Sequence, residues 1–66
     1  MADFYKQLVL ARENRGLTQK EFAMKLGYDV EWIVNLEQGK IDPPLSLIVK
    51  AAKELNWSFK IGDVSI

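Results

Sequence analysis

The chain has 66 residues, 48% of them hydrophobic and 27% charged, enough for one small domain with a single core. It contains no cysteine and no histidine, which excludes a disulfide framework, a Cys/His zinc site, a thiol nucleophile and any His-based catalytic triad. Nine basic and nine acidic residues balance to zero net charge, so no bulk positive field exists to attract nucleic acid or membrane.

A domain of this size buries only about 60% of its unfolded surface and gains from self-association. Paired carboxylates facing across a cleft need more scaffold than this, so no catalytic residue, metal site or cofactor is assigned. The apolar runs are far shorter than the ~20 residues of a membrane span, and MADFYKQ has no leader pattern, which predicts a cytoplasmic protein.

In chain order, Phe4, Leu8 and Ala11, flanked by Tyr5 and Val9, follow i, i+4, i+7 spacing and predict an amphipathic helix over 3–15, with Asp3 as N-cap and Gly16 as stop. Thr18-x-x-Glu21 is a capping box that opens a second helix over 18–26. Phe22, Ala23 and Leu26 form its inward stripe, Ala23 being small enough for another helix to approach closely, and Gly27 ends it.

Asp29 opens a third helix over 29–38, closed by Gly39. Ile33, Leu36 and Glu37 share its inward face with Val30 at the edge, while Glu31, Asn35 and Gln38 point outward. A carboxylate among apolar neighbours requires a charged partner, and the Arg12 guanidinium fork suits Glu37.

Asp42-Pro43-Pro44 is an extended linker, and a fourth helix covers 45–55. It carries Leu45, Leu47, Ile48, Val49, Ala51, Ala52 and Leu55, two apolar surfaces where a four-helix domain needs one, and so predicts a dimer. From Trp57 the period becomes two: Trp57, Phe59 and Ile61 alternate with Ser58 and Lys60, followed by Gly62-Asp63 and Val64-Ser65-Ile66. As a hairpin, this β tail over 57–66 pairs Ile61 with Val64 and Phe59 with Ile66. It is expected to pack on the fourth helix or, preferably, to pair with its copy in a second subunit. The expected dimer interface is therefore Leu47, Ala51, Trp57, Phe59 and Ile61.

The run from Leu17 to Lys40, two capped helices about a glycine turn, is a helix-turn-helix skeleton. With Arg12-Glu13-Asn14-Arg15-Gly16-Leu17-Thr18-Gln19, Ala23, Leu26-Gly27, Ile33, Leu36-Glu37, Gly39-Lys40, Pro43 and Ala52 to Leu55, it resembles the lambda-repressor-like, Cro/C1-type helix-turn-helix family. The resemblance spans about residues 8–55. It implies an all-α, compact four-helix domain, here with a short C-terminal β segment as hairpin or dimerising strand. It also implies the Arg12–Glu37 pair, phosphate contacts at Gln19, Gln38 and Lys40, and base-edge readers at Val30, Glu31 and Asn35.

Asn35 matches the paired donor and acceptor of adenine, Val30 a thymine methyl and Glu31 the amino group of cytosine. Lys20, Lys25 and Lys40 are expected to supply the phosphate electrostatics from the flanks, with Lys6 and Arg15 as additions. Tyr28 either covers the core edge or reaches a phosphate. Trp32 either packs near Pro43 and Pro44 or lies along the backbone.

The expected function is a sequence-specific, homodimeric regulator on a pseudo-palindromic operator of double-stranded DNA, a repressor or an antitoxin-like autoregulator with a protein partner such as a toxin. The alternative is a protein-interaction module that has lost DNA binding and uses Trp32, Val30 and Val34.

Overall fold

The structure, a computed structural model, describes residues 2–66, with side chains from Phe4 onward. Four helices, α1 (Ala2–Asn14), α2 (Gln19–Leu26), α3 (Val30–Glu37) and α4 (Leu45–Leu55), precede a two-stranded hairpin of β1 (Lys60–Ile61) and β2 (Val64–Ser65). α3 packs on α1 and α2, α4 packs on α2, and the hairpin docks on α1.

The periodic residues of the first three helices all turn inward: Phe4, Leu8 and Ala11 from α1, Phe22, Ala23 and Leu26 from α2, Ile33 and Leu36 from α3. α1 begins at Ala2, so Asp3 falls within its first turn, and its expected capping side chain lies outside the described residues. The capping box of α2 is formed, with the Glu21 amide donating to Thr18 Oγ1 at 3.1 Å and the Thr18 amide to Glu21 Oε1 at 2.9 Å. Asp29 occupies the N-cap of α3 without a side-chain bond, so it acts there by charge on the helix dipole.

All four helices end alike. The residue at the stop, Gly16, Gly27, Gly39 or Asn56, has positive φ. The next amide then bonds back five residues, Leu17 to Arg12, Tyr28 to Ala23, Lys40 to Asn35 and Trp57 to Ala52, at 3.0–3.2 Å. Asn56, at φ 48°, is the side-chain-bearing member, and asparagine tolerates that region better than other non-glycine residues.

Two expectations are corrected. α4 turns Leu47, Ile48, Ala51 and Leu55 into the core, so Leu47 and Ala51 belong to the monomer and not to a dimer interface; the apolar residues it leaves exposed are Leu45 and Val49, with Ala52 half-buried. The hairpin has the register read from the sequence, Ile61 opposite Val64 and Phe59 exchanging both amide bonds with Ile66 at 2.9 Å. It packs in its own subunit, however. Phe59 is fully buried, edge-on to Phe4 with ring centroids 5.4 Å apart, so it is not an interface residue either.

The outer edge of β1 is also occupied, because the Gln7 side-chain amide brackets Lys60, accepting from its amide at 2.8 Å and donating to its carbonyl at 2.7 Å. An intersubunit sheet along that edge has no free backbone groups at Lys60 to use. Gly62 takes the first turn position with positive φ and Asp63 does not, the pattern of a type II′ hairpin turn.

Candidate nucleic-acid interface

The geometry of α2 and α3 is set by one charged cluster beneath them. Arg12 Nε donates to Glu37 Oε2 at 2.8 Å and Nη2 to Oε1 at 3.2 Å, while Nη1 holds the Leu17 carbonyl at 2.8 Å. Both side chains are nearly excluded from water, at 11% and 5% exposure. The pair expected from the buried position of Glu37 is thus formed, in the bidentate arrangement that a guanidinium makes with a carboxylate.

Gln19 completes the cluster. Its side-chain amide donates to Glu37 Oε1 at 3.0 Å, joining the first turn of α2 to the last turn of α3. The residue assigned to a phosphate contact is therefore a positioning residue in this conformation. Ala23, buried at the α2 surface, is small enough for the close approach of α3.

Above this base, α3 presents Val30, Glu31 and Gln38 to solvent, with Asn35 and Val34 half-buried beside them. Tyr28 and Trp32 form a parallel stack, ring centroids 4.3 Å apart and planes at 14°, on the flank of the α3 N-terminal half. The partner of the indole is thus the preceding turn's tyrosine, one helical turn away. Both rings are half-buried, and the indole N–H and the Tyr28 hydroxyl are their polar groups.

Of the expected cations, Lys20, Lys25 and Lys40 are exposed. Arg15 is diverted: its Nε donates to the Leu55 carbonyl at 2.7 Å and its Nη2 to the Asn56 carbonyl at 3.1 Å, and its guanidinium lies 5.5 Å over the Trp57 ring. Lys50 likewise donates to the Leu26 carbonyl at 2.9 Å, capping α2. The capping hydrogen bonds from Thr18, its backbone amide first and its hydroxyl second, hold the Glu21 carboxyl below the usual carboxylate range. Among the described residues no group of carboxylates or imidazoles is placed to hold a metal ion, and no helix is long and apolar enough to cross a membrane.

Trp57 and Ile61, the remaining expected interface residues, are half-buried against the core. Sequence reasoning missed the roles of Gln7, Arg15, Lys50 and Asn56. The three side-chain bonds span 53, 40 and 24 positions, and no local pattern signals them.

Two short helices about a Gly27 turn, the second held from beneath and open above, define a helix-turn-helix protein. The chain belongs to the Cro/C1-type helix-turn-helix family, whose helix-turn-helix model matches residues 8–60. It is similar to an uncharacterized HTH-type transcriptional regulator of Methanocaldococcus jannaschii, 42% identical over 55 residues covering 83% of this chain and 80% of the relative. Two uncharacterized HTH-type transcriptional regulators of Archaeoglobus fulgidus are also similar. One is 47% identical over 45 residues (68% of this chain, 64% of the relative), the other 42% over 55 residues (83% and 75%).

Proposed function

We propose that this protein is a sequence-specific DNA-binding transcription regulator that works as a homodimer, inserting α3 of each subunit into the major groove at half-sites about 34 Å apart. The observation that carries this reading is the Arg12–Glu37–Gln19 cluster, which fixes α3 against α2 while Val30, Glu31 and Gln38 stay exposed on the outward side. The relatives' names as transcriptional regulators support it. Asn35 reads adenine, Val30 meets a thymine methyl and Glu31 accepts from cytosine. Lys20, Lys25, Lys40, Gln38 and the donors of Tyr28 and Trp32 hold the backbone. Repression or autoregulation of its own gene, with or without a protein partner such as a toxin, is the role this architecture suits.

The test is a fluorescence-anisotropy titration with a mixed-sequence duplex at low and moderate salt, followed by selection from a random duplex pool. Salt-sensitive binding that is weakened by Lys40→Ala is expected. Failure to bind any duplex at low salt would sink the reading in favour of a protein-binding module. That second reading is favoured by the acidic Asp29 and Glu31 and the absence of Lys or Arg on α3.

A further inference from the structure

α4 is the most amphipathic helix by sequence, yet its exposed side is not uniformly polar. With Leu47, Ile48, Ala51 and Leu55 in the core, Leu45, Val49 and Ala52 follow at i, i+4 and i+7 along one flank, while Ser46, Lys50, Lys53 and Glu54 occupy the other. Leu45, at the N-terminal end, is 66% exposed, and Val49 is 36% exposed. At the C-terminal end the strip opens into a groove of about 460 Å³ lined by Ala52, Lys53, Asn56, Trp57, Ser58 and Ile66.

A projecting apolar side chain and an apolar-floored groove thus lie at opposite ends of one strip, eleven residues or roughly 16 Å apart along the helix. This is the self-complementarity that a two-fold contact requires, since each feature of one copy must meet the other feature of its partner. In an antiparallel crossing of two α4 helices, Val49 falls opposite Ala52 and Leu45 opposite Asn56. The small side chain of Ala52 lets the axes approach, and each Leu45 enters the other copy's groove.

We propose that two copies of this chain associate through this strip, α4 against α4 in antiparallel, with Leu45 of each seated in the groove of the other. The proposal rests on the homodimer reading above and replaces the interface expected from the sequence. A second copy fits better than a foreign helix because one strip already supplies both halves of the contact. None of its residues belongs to α2 or α3, so the recognition face remains uncovered.

Sedimentation velocity on the full chain tests it. Wild type sediments as a dimer at high micromolar concentration, and Leu45→Lys weakens association by roughly tenfold or more because it sets a cation against the Trp57 and Ile66 floor and beside the Lys53 ammonium. Adding Lys53→Glu to Leu45→Lys restores the dimer, since the new cation then faces a carboxylate on the groove rim. A second test mixes the single variants Val49→Cys and Ala52→Cys, each in a chain without native cysteine, and on oxidation the two form a covalent heterodimer.

Leu45→Lys that is folded by circular dichroism and still dimerises as wild type overturns the interface and leaves the homodimer reading standing. A wild type that stays monomeric overturns both. If Leu45→Lys does not fold, the cysteine pair decides, and absence of a disulfide-linked dimer overturns the interface.

Discussion

Glu37 is a carboxylate almost out of water that receives three side-chain hydrogen bonds, two from Arg12 and one from Gln19. Removing Arg12 leaves that charge with one neutral donor, so Arg12→Met is expected to lower unfolding free energy by about 3 kcal/mol, read from the urea midpoint. Gln19→Ala removes one bond and is expected to cost about 1 kcal/mol by the same measurement. The Arg12–Glu37 pair was legible in the sequence because an inward carboxylate demands a partner. Gln19's role was not: a glutamine in the first turn of a helix serves solvent, phosphate or a neighbour equally well, and only the fold places it 3.0 Å from Glu37.

Glu21 provides a pH test at the same scale. Its carboxyl is held down in the folded chain chiefly by the Thr18 amide, so its contribution is fully present above the ordinary carboxylate value and is lost as pH falls through the lower folded value. Glu21→Gln is expected to flatten the acid limb of the stability–pH curve. If the limb of the variant matched wild type below pH ~4.5, the capping box would not be the source of that stability.

At the scale of elements, the inward faces of the first three helices are legible in their periodicity, whereas for α4 the range 45–55 is legible and the inward face is not. A helix with apolar residues at Leu45, Leu47, Ile48, Val49, Ala51, Ala52 and Leu55 satisfies several inward faces equally, and choosing among them needs the position of α2. The same ambiguity misplaced the tail. Its register followed from alternation and the Gly62-Asp63 turn, but the destination of Phe59 depended on a vacancy beside Phe4, 55 positions earlier. Phe59→Ala is therefore expected to destabilise the monomer by about 3–4 kcal/mol in urea unfolding. A dimer that merely dissociated with unchanged monomer stability would contradict the packing described.

At the scale of the whole molecule, zero net charge coexists with three exposed lysines, Lys20, Lys25 and Lys40, on or beside the helix-turn-helix. If all three meet phosphates in both subunits, six charges are neutralised and the logarithm of the binding constant falls against the logarithm of salt with a slope of about −5. Lys40→Ala should lower that slope by about 2 across a dimer, one phosphate per subunit, and affect all sequences alike. Asn35→Ala should instead cost about 1–3 kcal/mol per half-site at one base position and leave the slope unchanged. Anisotropy titrations across a salt series separate the two.

The contact between Phe4 and Phe59 also fixes an order of events during folding. The apolar first turn of α1 precedes the ring that covers it by 55 positions, and the Gln7 bracket on Lys60 likewise waits for the tail. Until that ring docks, the folding chain carries an uncovered aromatic surface on α1. Any fusion or truncation that cuts before Phe59 makes that transient exposure permanent, turning a regulator that finishes folding late into one prone to aggregate.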